Sequence, residues 1–333
     1  MMNIGHNISL KPYNSFRTEA LAALFCEPQT VEELMEILRS YPHHRKLILG
    51  SGCNLFFTKD YEGLVIKPAM KGIAIIEEDT EHVIIKVQAG EDWDGLVEYC
   101  VNHHYAGLEN LSLIPGNVGA SPFQNIGAYG SEVKDCIEQV NAINMGTLQI
   151  ESFTKDECQF SYRDSIFKKT RKYIITSIVF RLNKHFVYND RYADVRAELH
   201  NNTSPTLSQV REAIIRIRTR KLPDPQVLPN AGSFFKNPIL TLEEKENLLH
   251  ILPDAPIFNF GENYFKTSAA YLIDQAGWKG KRIGDIGISE KHALIVVNYG
   301  TEKGSDIINF MHEVQKDVHH KFNVLLEPEV QIE

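Results

Sequence analysis

Apolar positions along the first third of the chain switch between helical and strand spacing. Val31, Leu34, Met35 and Leu38 recur on one helical face behind Thr30-Val-Glu-Glu33, which has the form of a capping box and predicts a helix. Short β-rich runs at 46–49, 55–58, 64–67, 73–76 and 83–87 predict strands separated by glycine-bearing turns. Trp93, Leu96, Val97, Cys100 and Val101 mark a second amphipathic helix. Strand patterns return near Ile143 and Leu148, with a turn at Met145-Gly146, and again over 173–182. A helix over 207–220 carries Val210, Ala213, Ile214 and Ile217 on one face and is stopped by Leu222-Pro-Asp-Pro225. Beyond it the pattern predicts a loop at 230–238, helices near 242–249 and 268–277, and a buried strand at 293–298. A long amphipathic helix with Ile307, Met311, Val314 and Val318 follows, then a final strand at 325–332. These breaks predict an α+β chain with a domain boundary near residue 220 and a softer one near 70.

One stretch obeys neither period. Residues 107–130, GLENLSLIPGNVGASPFQNIGAYG, hold five glycines and two prolines in 24 residues and almost no charge. A loop of that length inside a folded domain is uncommon without a function. An earlier glycine turn, Leu49-Gly-Ser-Gly-Cys-Asn54, follows a strand. A dinucleotide fingerprint of the Rossmann kind would have to open a helix there, whereas GSGCN runs into the strand-like Leu55-Phe-Phe-Thr58. The remaining readings are an ordinary tight turn or a nest, in which backbone N–H groups converge on phosphate oxygens.

The bulk composition narrows the class. With 333 residues, 43% hydrophobic and 23% charged, the chain is long enough for two or three domains. A net charge of −8 gives no general attraction for nucleic acid or an anionic membrane, so neither is expected as a partner, and an anionic ligand needs local cations. Five cysteines with no CxxC pair speak against a disulfide framework and a zinc site, and no metal is expected. No secretory signal or spanning segment is visible, so the expected setting is the reducing cytoplasm, with no membrane insertion.

LGSGCNLFF, the 107–130 loop, FSYRDSIFK, KLPDP with NAGSFFKNP, and LEPEV occur in that order over nearly the whole chain. Together they resemble the UDP-N-acetylenolpyruvoylglucosamine reductases. The resemblance implies an FAD-binding domain of the vanillyl-alcohol-oxidase (PCMH) type in two subdomains, 1–70 and 71–220. It also implies a C-terminal α+β substrate-binding domain, 221–333. Implied partners are non-covalent FAD, NADPH as co-substrate and UDP-N-acetylglucosamine enolpyruvate, on a chain expected to be a monomer. The first loop, through Gly50, Ser51, Gly52, Cys53, Asn54 and Leu55, would meet the FAD pyrophosphate. The second, through Pro115, Gly116, Gly119, Ser121, Asn125, Gly127 and Ala128, would run along the diphosphate and isoalloxazine, with Arg218 facing the flavin. Family members commonly have serine where this chain has Cys53, and a thiol is the poorer hydrogen-bond donor. An FAD oxidase or dehydrogenase of the same fold acting on another substrate is the alternative.

The implied chemistry can be checked against residue types. Hydride addition to the terminal carbon of an enolpyruvyl group builds negative charge beside its carboxylate. The site then needs a cation, a charge-sharing hydrogen-bond donor and an acid. By the resemblance Arg163 is the carboxylate clamp, a role suited to a planar guanidinium. Ser233 is the proton donor, with Lys221 and Lys236 available to assist. Glu329 is the second catalytic group and must carry a proton to stabilise an enolate. Glu327, two residues away on a strand, should face the other side. Tyr162, Tyr192, Lys221, Asn237 and Gln275 are the implied substrate contacts, Tyr192 on a loop that one branch of the family folds over the UDP-sugar.

Overall fold

The computed structural model describes residues 4–189 and 191–333. The chain forms two compact units. The first comprises the chain through Ile8, Ala23–Ser51 and Glu62–Arg218; the second comprises Ser9–Ala22, Gly52–Tyr61 and Thr219–Glu333.

In the first unit a five-stranded sheet runs in the order Ile150–Thr154, Ile137–Asn144, Tyr173–Asn183, His82–Gln88, Ile73–Glu78, with every neighbour antiparallel. The strand His82–Gln88 alternates buried and half-buried positions, whereas Tyr173–Asn183 is buried almost continuously. The alternating strand thus turns one face to the core and the other strand has both faces covered. The helix Trp93–Asn102 lays Trp93, Leu96, Val97 and Cys100 into the same core as Ile85, Val87 and Phe180. A second core forms where the helix Val31–Ser40 buries Leu34, Ile37 and Leu38 with Leu64, Ile66 and Met70. A four-stranded sheet in the order Gly5–Ser9, Leu21–Cys26, Tyr61–Ile66, Lys46–Ile48 supplies Cys26, Leu64 and Ile66 to that core.

The second unit is built on an antiparallel sheet ordered Asn230–Ser233, Ile295–Asn298, Ile286–Ile288, Arg282–Ile283. The helix Gly304–Phe322 buries Ile307, Phe310, Met311, Val314 and Val318 in one core with Trp278, Ile286, Val296 and Leu326. Phe16, Phe56 and Phe234 meet in that core at ring separations of 5.4, 5.9 and 6.0 Å. Among the described residues no helix is long and apolar enough to cross a membrane.

Three local expectations need correction. Only half of the capping box forms: Thr30 accepts the Glu33 N–H at 3.1 Å, while the Glu33 carboxylate reaches the N–H of Gln29, one residue early. Residues 230–238 are not all loop, because Asn230–Ser233 pairs with Ile295–Asn298 despite having no β-branched side chain. The last strand shrinks to Gln331–Ile332, parallel to Leu55–Phe56. Upstream of it the described residues form a single bridge, Phe235 to Pro328, whose hydrogen bonds come from the neighbours Lys236 and Glu329.

Candidate active site

Within the first unit the second glycine loop is fixed by backbone geometry. Leu113 (φ 58°), Asn125 (φ 46°) and Tyr129 (φ 47°) adopt left-handed conformations, uncommon for side chains other than glycine. Gly116 (φ 148°) and Gly130 (φ 80°) lie between and after them. Gly119 is required for a different reason. Its N–H bonds the Ala89 carbonyl at 2.8 Å, so close that a Cβ there would sit 2.6 Å from the Ala89 Cβ. Gly127 opens a short hairpin with Ser131–Glu132, and a Cβ on it would stand 2.9 Å from the Ser131 carbonyl oxygen and 3.1 Å from Arg163 Nη1. Gly119 and Gly127 therefore mark close approaches of backbone, and the glycines together leave the loop short of side chains.

Buried charge anchors this loop. Arg211 grips Asp94 bidentately, Nη1 to Oδ1 at 2.7 Å and Nη2 to Oδ2 at 3.0 Å, and the same carboxylate accepts the Leu113 N–H. Burial pulls the Asp94 carboxyl upward, but the Arg211 hydrogen bonds, the Leu113 N–H and the Arg211 and Arg218 charges outweigh it and hold it below the usual range. Farther along the same helix, Arg218 is hydrogen-bonded to Tyr129, and burial lowers its affinity for a proton, while Tyr129 and Asp94 oppose that effect. Its Nε is buried with no hydrogen-bond partner among the described residues. Tyr129 meets Tyr192 edge to face at 5.2 Å, and Tyr192 is 42% exposed.

Arg163 stands in a turn, not on a helix. Ser161 and Asp164 exchange backbone bonds at 3.1 and 3.3 Å, and Arg163 between them has φ 55°. Its Nη2 donates to the Gly127 carbonyl at 2.8 Å, and its guanidinium lies 5.2 Å from the centre of the Tyr162 ring. Ser121 is buried and donates its hydroxyl to Val118 O at 2.8 Å.

The second unit brings Ser233 and Glu329 onto neighbouring segments. The Glu329 N–H donates to Phe234 O at 2.8 Å, Phe235 bridges Pro328, and the Lys236 N–H donates to Glu327 O at 2.9 Å. Both Ser233 and Glu329 are half-buried, whereas Glu327 is exposed and pairs with Lys236 at 3.3 Å; neither glutamate lies in a strand. Asn54 of the first glycine loop donates from Nδ2 to Glu329 O at 3.3 Å, and Gln331 N–H returns to Asn54 O at 2.9 Å. Gly52 must be glycine: φ is 70° and a Cβ would overlap the Tyr13 carbonyl. Leu55 is buried as the partner of Gln331, and Cys53 is half-buried. Asn237 Oδ1 caps the helix Ala269–Gln275 by accepting the Ala269 N–H at 3.0 Å, and Gln275 is exposed at the far end. Lys221 lies near His292, whose imidazole is held neutral first by burial and then by the Lys221 and Lys279 charges. Of the expected catalytic set, Arg163 thus belongs to the first unit, and Ser233 and Glu329 belong to the second.

Sequence reading missed Tyr129, Asp94 and Arg211. Tyr129 could have been found, since it stands between the last two glycines of the loop.

These residues suit a dinucleotide with a polar ring edge. The glycine loop carries little side-chain bulk, and the buried Arg218 Nε is a donor requiring an acceptor.

Family comparison agrees on both parts of the chain. Residues 22–149 match the FAD binding domain, and residues 224–333 match the UDP-N-acetylenolpyruvoylglucosamine reductase C-terminal domain. The chain is 46% identical to the UDP-N-acetylenolpyruvoylglucosamine reductase of Flavobacterium johnsoniae, over 99% of this chain and 100% of the relative. It is 43% identical to that of Bdellovibrio bacteriovorus, over 98% and 99%. The solved reductase of Thermus caldophilus superposes with a TM-score of 0.70 at 23% identity, covering 100% of this chain and 99% of the other, which establishes the shared fold. The chain belongs to the UDP-N-acetylenolpyruvoylglucosamine reductase family.

Proposed function

We propose that the two glycine loops hold FAD in this chain and that Arg163, Ser233 and Glu329 act on the substrate beside it. The chain is an FAD-dependent oxidoreductase that consumes NADPH to reduce UDP-N-acetylglucosamine enolpyruvate to UDP-N-acetylmuramate, a step of peptidoglycan precursor synthesis. Bound FAD supplies the hydride, received from NADPH, that adds to the terminal enolpyruvyl carbon. Arg163 pairs its guanidinium with the substrate carboxylate and offsets the charge that accumulates next to it. The Ser233 Oγ–H gives its proton to the carbon bearing the carboxylate, where that charge develops, completing the addition of one hydride and one proton across the double bond. Glu329, carrying a proton, donates a hydrogen bond to the enolate oxygen. Tyr162, Tyr192, Lys221, Asn237 and Gln275 bind the UDP-sugar.

In the same reading 1–70 and 71–220 are the two FAD subdomains and 221–333 binds substrate. The core that holds Ile85, Trp93 and Phe180 lies wholly within 71–220, which supports that division. The observation carrying the catalytic assignment is the Glu329 N–H to Phe234 O bond, which holds acid and charge-sharing carboxyl on adjoining segments. A visible spectrum of the purified protein, followed by anaerobic NADPH titration and then substrate, tests it. A flavin spectrum that NADPH bleaches and substrate restores is expected. A colourless protein that cannot take up FAD would overturn the reading.

A further inference from the structure

Asn125 lies in the second glycine loop, yet its side chain is committed to protein. It is fully buried, and its conformation at φ 46° is one that asparagine tolerates better than most residues. Nδ2 donates to Glu132 Oε2 at 3.0 Å and to Ser161 O at 3.1 Å, while Oδ1 accepts the Lys134 N–H at 3.2 Å. Both donors and the acceptor are occupied inside the first unit. What they join is informative. Glu132 ends the far strand of the hairpin that begins at Gly127, Lys134 lies in the helical turn that follows it, and Ser161 opens the turn that presents Arg163.

Two more bonds tie the same segments together. Ser165 Oγ donates to Phe123 O at 2.6 Å, and Arg163 Nη2 donates to Gly127 O at 2.8 Å. Ser161 O serves both the Asp164 N–H and Asn125 Nδ2, so the carboxamide grips the turn at the carbonyl that closes it. Arg163 occupies a left-handed conformation at the tip, which persists only where the surroundings enforce it.

We propose that Asn125 is a positioning residue: through Ser161 it locks the Arg163 turn to the glycine loop and so sets where the guanidinium stands relative to the flavin. The proposal rests on the reading of Arg163 as the carboxylate clamp. A displacement of about 1 Å in such a group costs on the order of a hundredfold in rate. The neutral carboxamide matters as well as its reach. In Asn125→Asp an acceptor replaces the donor facing Ser161 O, and a second carboxylate stands beside Glu132, whose charge Lys134 already balances at 2.6 Å.

The test is a double-mutant cycle on the FAD-loaded enzyme, with Asn125→Asp and Asn125→Gly each combined with Arg163→Ala. Glycine suits the left-handed backbone, so the second variant removes the clip without strain. Bound flavin is quantified by absorbance, and kcat and KM for the enolpyruvyl substrate are measured per bound flavin. In the Arg163 background each Asn125 variant should lower kcat by roughly 30- to 100-fold. In the Arg163→Ala background it should lower kcat by less than about threefold, because the group being aimed is gone. Equal losses in both backgrounds, or no loss in either, would overturn the role of Asn125 while leaving the clamp intact. If Arg163→Ala itself leaves turnover unchanged, the clamp reading fails, and the Asn125 role falls with it.

Discussion

Replacing Arg211 by methionine should weaken the first unit and loosen its hold on FAD together. Its side chain is 10% exposed and that of its partner Asp94 is 26% exposed, so the pair stands between a surface ion pair and a fully buried one. Exposed pairs contribute about 0–1 kcal/mol, and breaking a buried pair from one side costs about 3–5 kcal/mol. With two charge-assisted bonds at 2.7 and 3.0 Å, the intermediate figure is about 2–3 kcal/mol. In a unit of this size each kcal/mol shifts Tm by about 2–4 °C, so a fall of roughly 4–12 °C is expected by calorimetry. The same carboxylate holds the Leu113 N–H in the second glycine loop, which links the pair to the loop proposed to hold FAD. Fluorescence titration should therefore show an FAD Kd raised by about tenfold, equivalent to about 1.4 kcal/mol. The double variant Asp94→Asn with Arg211→Met removes the stranded charge and should recover part of the Tm loss. A Tm within 1 °C of the parent and an unchanged Kd would refute this description of the anchor.

Asp94 also imposes an acid dependence. Its carboxyl is held below the ordinary range, so its contribution is complete above the unfolded value near about 4 and is lost as pH falls through the folded value. Urea melts of Asp94→Asn should show a shallower loss of stability below about pH 4 than the parent; parallel curves would count against the pairing. Gly119→Ala should cost about 1–3 kcal/mol by thermal melting, because its Cβ would stand 2.6 Å from that of Ala89, and a neutral substitution would mean that the backbone there can retreat. Burial pushes the thiols of Cys26, Cys100, Cys136 and Cys158 up to about 12, whereas Cys53 is half-buried. Iodoacetamide at neutral pH should accordingly modify Cys53 first and more slowly with FAD bound; mass spectrometry showing one of the other four labelled first would contradict it.

Periodic segments were legible because burial there follows local spacing. The helix at Val31–Ser40 and the strand at His82–Gln88 announce their inner faces in the sequence. Gly5–Ser9 and Leu21–Cys26 did not, since the second has consecutive alanines and an irregular burial pattern and depends on its neighbours for pairing. Asn230–Ser233 is similar, a strand by virtue of Ile295–Asn298 and not of its own residues. Motif resemblance pointed to the proposed site residues but not to how they are held. Nothing local says that Arg163 occupies a left-handed turn. Asp94 and Arg211 are 117 residues apart, a pairing that neither propensity nor periodicity encodes. The commitment of Asn125 to Ser161 was hidden in the same way, across 36 residues.

The most direct test of the central claim is stopped-flow absorbance of Ser233→Ala, following the two half-reactions separately without oxygen. Reduction of the bound flavin by NADPH should stay within about threefold of the parent. Reoxidation by the enolpyruvyl substrate should slow by about 10²–10⁴, the range for a lost general acid. Equal slowing of both steps, or reoxidation at the parent rate, would contradict Ser233 as the source of the proton.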